Sequence, residues 1–326
     1  MGEKDPLPCL DAELSQFRVA TIPGLVVPPL IGGAIGYVGY DCVKYFEPRT
    51  KRQMEDVLRV PESLFMLFDT IVAVDHFYQQ VKIFTYLRVP ETLEHLETAY
   101  QDGQAALQRM VVILKSKDVP LPPQGPIELN QKYTSNIGQE GYEGHVSKLK
   151  QHIRRGDIIQ AVPSQRIARP TSLHPFNIYR NLRTVNPSPY LFYIDCEDFQ
   201  IIGASPEVLV KSEQGRIITH PIAGTVTRGK SVQEDEALAD ELRNSLKDRY
   251  VSSKNQRISQ ITILPHRAEH VMLVDLARSD VNRICDPLST RVDRLMVVQK
   301  FSHVQHLVSE VSGVLRHDKT RFDAFR

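Results

Sequence analysis

The chain lacks the features that would assign it at a glance. Its 40 basic and 39 acidic residues leave a net charge of +1 over 326 residues, so no bulk field draws it to nucleic acid or an anionic membrane. Any anionic ligand must be held by local groups. The four cysteines, Cys9, Cys42, Cys196 and Cys285, lie far apart and form no Cys-x-x-Cys pair. That removes the case for a zinc site or a disulfide framework and fits a reducing compartment. No long apolar run is unbroken: Pro23, Pro28, Pro29 and several glycines interrupt 19–38, which argues against a spanning helix. The same stretch lies too far in, and lacks the basic leader, for a signal peptide. Pro6 stands where a myristoylation signal wants Ser or Thr. A cytoplasmic protein with no membrane or nucleic-acid partner is expected.

What is present is the balance of a globular chain, 41% hydrophobic and 24% charged. Strand-like runs at 70–74 and 81–86 precede a helical pattern over 91–114, where Leu93, Leu96, Ala99 and Tyr100 recur at spacings of three and four. A polar, proline-bearing stretch follows. It divides a first region, 1–114, from a second, 136–326, with 115–135 as linker. In the second, 142–155 has helical spacing with a stop at Gly156-Asp157. Residues 158–162, 190–194, 200–203 and 208–211 read as strands, 234–246 as a helix, and 271–276 as a buried strand. The expected class is α/β or α+β, with two large mixed or antiparallel sheets and flanking helices.

Several short motifs carry chemistry, and each has a purely structural reading. Gly32-Gly33-Ala-Ile-Gly36-Tyr-Val-Gly39 is rich in glycine, but it matches neither the dinucleotide fingerprint nor a P-loop; close sheet packing accounts for it better. Gly203-Ala-Ser-Pro-Glu207 sets a carboxylate after a strand, either a solvated turn residue or, if buried, a proton donor. The segment 221–229, with Gly224, Thr225, Thr227 and Arg228, reads equally as a cradle for a carboxylate ligand or as a hairpin turn. Glu269-His270 and Asp275 offer oxygen ligands suited to magnesium, or a salt-bridged strand end. His303 and His306 stand three apart, which suits a shared helix face but opposite faces of a strand.

The order of the segments decides what none decides alone. Gly156-Asp157-Ile-Ile-Gln160, Asn186-Pro-Ser-Pro189-Tyr190, Gly203-Ala-Ser-Pro-Glu207, Pro221-Ile-Ala223-Gly224-Thr225, Ala268-Glu269-His270, Asp275-Leu-Ala-Arg278 and Gln305-His306-Leu-Val-Ser309 resemble the successive signatures of the chorismate-binding enzymes. The resemblance runs from about residue 30 to the end. It implies the fold of that family and, through two positions, a branch. Relatives that add water to the ring carry lysine where this chain has Gln160, and those that make aminodeoxychorismate carry lysine where it has Ala223. Neither base nor nucleophile is available here. The resemblance therefore points to the anthranilate-forming branch: chorismate and ammonia, released from glutamine by a partner amidotransferase subunit, give anthranilate and pyruvate. It implies catalytic roles for Glu207, Thr225 and His306, and a substrate pocket at Gln160, Ala223 and Gly224. It also implies magnesium held by Glu269 with Asp248, and a tryptophan feedback pocket including Asn186, Pro189, Tyr190 and Leu191. The alternatives are the aminodeoxychorismate-forming branch or a non-catalytic fragment that binds only the amidotransferase.

Three departures from the family pattern stand out. The resemblance implies an early tryptophan-binding segment that is absent and about a hundred further residues after Arg326, leaving an incomplete fold and half an active site. Residues 250–267 interrupt an otherwise continuous match, and removing them rejoins Arg249 to Ala268. The codons for Arg-Tyr-Val can contain a donor-like splice start, so this segment reads as a retained intron, with a surface loop as the alternative. Ser279 replaces the asparagine usual in the Asp-Leu-Ala-Arg-Asn-Asp motif.

Overall fold

The computed structural model describes residues 5–20, 23–25, 27–90, 92–244 and 266–326. It comprises two compact units, 1–119 together with 206–326, and 120–205. The first junction falls within the polar stretch 115–135; the second, between Ser205 and Pro206, has no compositional signal.

The first unit opens with α1 (Pro6–Ser15), whose Leu7 N–H donates to the Asp5 carboxylate at 2.9 Å. β1 (Gly33–Val38) is followed by α2 (Val43–Phe46) and pairs antiparallel with β2 (Ser63–Phe68). β3 (Thr70–Asp75) and β4 (Gln80–Thr85) form a second ladder, and α3 (Leu96–Lys115) follows. The glycine-rich run serves strand packing: a Cβ at Gly36 would stand 1.8 Å from the Leu64 carbonyl oxygen.

The second unit holds β5 (Thr134–Ser135), α4 (Gly138–Arg155), β6 (Ile167–Ala168), α5 (Pro175–Val185), β7 (Tyr190–Asp195) and β8 (Gln200–Ser205). α4 stops where its spacing predicts, with Gly156 in the left-handed region at φ 79°. β7 and β8 pair antiparallel, and α5 lies against them through Phe176, edge-on to Tyr193 with ring centres 5.4 Å apart. The strand expected at 158–162 does not form. Ile159 and Val162 are exposed, and pairing begins only five residues further on, at Ile167–Ala168, where β6 meets β5.

Back in the first unit come β9 (Lys211–Glu213), β10 (Arg216–Thr219), β11 (Ile222–Thr227), α6 (Val232–Asn244), α7 (His266–Ile284), β12 (Arg291–Lys300), β13 (Val304–Val314) and α8 (Arg321–Phe325). β13 is the spine of a five-stranded sheet. β10 and β11 succeed one another along one edge, β12 runs along the other, and β9 extends from β10. All these pairings are antiparallel, so the mixed helix and antiparallel-sheet class is as expected. Strand alternation sends Gln305, Ser309, Val311 and Gly313 toward α6 and α7. There Ile217, Val274, Val281, Cys285 and Val311 form the apolar core.

Two strand expectations are corrected here. Residues 271–276 lie inside α7, where the buried positions His270, Val274, Val281 and Cys285 recur at helical spacing while Val271 and Leu276 remain exposed. The four-residue apolar run was too short a window to separate the two periods. Near 208–211, the strand begins only at Lys211. No helix among the described residues is long and apolar enough to cross a membrane.

Candidate functional site

β11 and β13 slip out of step by one residue. Ala223 stands opposite Leu307 but Thr225 opposite His306, which leaves Gly224 as the extra residue. Gly224 takes φ 79°, the left-handed conformation of a glycine bulge. The slip sets Thr225 and His306 side by side, with Thr225 Oγ1 2.9 Å from His306 Nδ1. The ring of Phe301 meets the imidazole at 5.2 Å between centres. Burial holds the His306 pKa below the usual histidine range, while a hydrogen bond with the Gly224 backbone works the other way. The ring is therefore neutral at neutral pH.

At the start of the same strand, the Ile222 N–H donates to the carboxylate of Glu207, which is half-buried. Burial pushes this carboxyl up to about 7, and the Ile222 bond only partly offsets it. Such a group both donates and accepts protons near neutrality. Ala223, Gly224, Thr225 and His306 thus share one strand pair, and Glu207, in the segment before β9, reaches the start of β11.

Beside them, a clasp fixes the far end of β11. Buried Asp235, on α6, accepts from Arg228 Nε at 2.8 Å and Nη2 at 3.0 Å, from the Gly229 N–H at 2.9 Å and from Gln305 Nε2 at 3.1 Å. Lys300 Nζ adds an ion pair at 3.1 Å. The Arg228 hydrogen bonds, then that of Gly229, hold the Asp235 carboxyl well below the usual range. The reading of Arg228 as part of a ligand cradle is corrected accordingly, since its guanidinium is engaged by Asp235.

Glu269 lies in the first turn of α7, half-buried, next to the fully buried His270. Magnesium asks for near-octahedral oxygen coordination. Among the described residues no group of three or more His, Cys, Asp or Glu side chains is placed to hold a metal, and Asp248 lies outside them. Of the two expected carboxylates, the described residues therefore include Glu269 alone.

The other positions belong to the second unit. Gln160 is exposed in the irregular segment after α4. Asn186 caps the C-terminus of α5, and Pro189 leads into Tyr190 and Leu191, which open β7 opposite Ser205 and Ala204.

Sequence reasoning missed Asp235, gave no role to Gln305 or Ser309, and missed the structural engagement of His270. The helical stripe from His270 to Cys285 was the available signal for the last.

A strand-spined sheet under two helices, with a hydroxyl and an imidazole side by side at a bulge and a half-buried carboxyl at the start of the same strand, is an enzyme-like site. The chain belongs to the chorismate binding enzyme family, whose sequence pattern matches residues 2–250 and 266–326. The unmatched residues 251–265 fall inside the 250–267 segment and outside the described residues. The chain is 61% identical to anthranilate synthase component 1 of Saccharomyces cerevisiae, over 99% of this chain and 60% of that protein. It is 38% identical to anthranilate synthase component 1 of Acetivibrio thermocellus, over 99% of this chain and 61% of that one. The crystal structure of anthranilate synthase component I from Streptococcus pneumoniae matches with a TM-score of 0.74 at 33% identity, covering 99% of this chain and 65% of that one. The chain thus spans about three fifths of the length of the curated relatives it matches.

Proposed function

We propose that this chain carries part of the active site of an anthranilate synthase component I. The reaction converts chorismate and ammonia to anthranilate, pyruvate and water. The observation that carries the reading is the Thr225–His306 pair formed at the Gly224 bulge, with the Glu207 carboxyl, at about 7, held at the other end of the strand. Ammonia attacks the ring, and its hydroxyl leaves as water with a proton from Glu207. The aminated intermediate then loses a ring proton and expels the enolpyruvyl group as pyruvate. Thr225 and neutral His306 orient the substrate and carry hydrogen bonds to it. Gln160 and Ala223 support the branch, because neither position holds the amine of the lysine-bearing relatives.

The proposal extends to a glutamine amidotransferase partner, in keeping with the relatives' designation as component 1. It also includes magnesium at Glu269, tryptophan recognition around Asn186, Pro189, Tyr190 and Leu191, and a cytoplasmic setting. No step above is routed through the metal. The test replaces the matching segment of the Saccharomyces cerevisiae relative with this sequence, without residues 250–267, and follows anthranilate fluorescence with chorismate, ammonium and magnesium. Equal amounts of anthranilate and pyruvate are expected. Isochorismate or aminodeoxychorismate as the dominant product would overturn the assignment.

A further inference from the structure

We infer that His270 is a positioning residue, which sets the Thr225–His306 pair from the opposite side of the sheet through Ser309 and the Ala223 carbonyl. The inference rests on the function proposed above only in calling that pair part of an active site. His270 and Ser309 are 0% and 1% exposed, and His270 Nε2 lies 2.6 Å from Ser309 Oγ. Ser309 Oγ also accepts the Met296 N–H at 2.9 Å, and the Ser309 N–H donates to the Pro221 carbonyl at 3.0 Å.

These contacts coincide with two irregularities. β11 slips against one edge of β13 at Gly224, and β12 slips against the other edge between Arg294 and Val297, where Met296 takes φ 53°. One buried imidazole–hydroxyl pair therefore touches the strand segments that carry both slips. We take the Ser309 hydroxyl as the donor in its bond with His270. With the Met296 N–H directed at its oxygen, Ser309 has one proton to give, and a neutral His270 accepts it at Nε2. Nδ1 then carries the ring proton. No hydrogen bond to Nδ1 forms among the described residues, and the geometry that ties His270 to β11 runs through Ser309, whose N–H meets the Pro221 carbonyl; the Ala223 carbonyl is the nearby acceptor that a ring proton would favour. We read Nδ1–H as directed at that carbonyl, immediately before Gly224. An apolar residue of similar volume would pack α7 on the sheet equally well without burying an unpaired ring nitrogen. The polar ring is needed for a different purpose, which is to hold β11 at the level of its bulge.

The experiment compares His270→Leu, Ser309→Ala and His270→Gln in the chain as it stands, reading the NMR titration of the His306 imidazole together with thermal unfolding. The first two substitutions should raise the His306 midpoint by about half a unit or more, as the Thr225–His306 pair opens to water. Gln, whose amide reaches Ser309, should return it toward the parent value. Folded Leu and Ala variants with an unmoved His306 midpoint would make His270 a packing residue and overturn the inference. If those variants fail to fold, the ring tautomer in the unaltered protein decides: Nδ1–H supports the bridge, and Nε2–H refutes it. None of these readouts requires turnover. An inactive chimera with a shifted His306 would sink the proposed reaction and leave this inference standing.

Discussion

Replacing Glu207 by Gln isolates the electrostatic strain at the site. The ordinary carboxyl value is 4.5, and in the folded chain burial moves it to about 7. Below the first value both folded and unfolded states hold the proton. Between the two, the unfolded chain sheds its proton while the folded chain keeps it, so folding is progressively disfavoured. Above the second, both states are ionised and the folded state carries the full burial penalty. The stability associated with protonated Glu207 is therefore complete below pH 4.5 and lost as pH rises through 7. At about 1.4 kcal/mol per pKa unit, the whole effect is about 3 kcal/mol, most of it falling between pH 5 and pH 8. Glutamine keeps the shape but cannot ionise. Urea unfolding of parent and Glu207→Gln proteins at pH 5 and pH 8 measures the difference directly. The histidines His270 and His306 titrate in both proteins and cancel in the comparison. The variant should gain about 2 to 3 kcal/mol on the parent over that interval. Parallel pH dependences would mean that the carboxyl is not withheld from water, and its role as a proton donor would fall with it.

Two other substitutions probe the frame around the site. At Gly313, a Cβ would stand 2.8 Å from Cys285 Cβ and 2.9 Å from Val281 Cγ1, so Gly313→Ala forces β13 away from α7. A loss of about 1 to 3 kcal/mol in urea unfolding is expected, and an unchanged midpoint would contradict the packing described. Gly224→Ala places a side chain at φ 79°. About 1 to 2 kcal/mol should be lost, with a changed His306 Nδ1 shift by NMR, and an indifferent variant would mean that β11 is not bulged there.

Local features were readable in the sequence, and long-range ones largely were not. The stop of α4 at Gly156 and the strands around 190–195 and 200–205 depend on nearby residues, and they form where patterning puts them. The helix at 271–276 was missed because four apolar residues in a row fit either period, although the longer stripe from His270 to Cys285 fits only one. Thr225 and His306 are each visible in a motif, but only family resemblance joins them, since their contact spans 81 residues. The pKa shift of Glu207 comes from burial in the tertiary structure, of which the segment Gly203–Glu207 carries no trace. The Asp235–Gln305 and His270–Ser309 bonds span 70 and 39 residues, and polar side chains at such separations look like ordinary surface until the sheet brings them together.

The distance between Thr225 and His306 along the chain also bears on when the site can exist. Of the 80 residues between them, 18 belong to segment 250–267. Closure entropy grows only with the logarithm of length, so shortening the separation by that segment changes the closure term by about 0.2 kcal/mol. The equilibrium between open and assembled site is almost blind to whether those residues are present. Timing is less forgiving. Closing a contact this remote in sequence costs loop entropy that hairpins and helices do not, so the bulge that places the hydroxyl beside the imidazole is expected to close after them. A partly folded chain then has its helices, and β12 on β13, before it has a site. A site arranged in this way is expected to assemble only when folding is nearly complete.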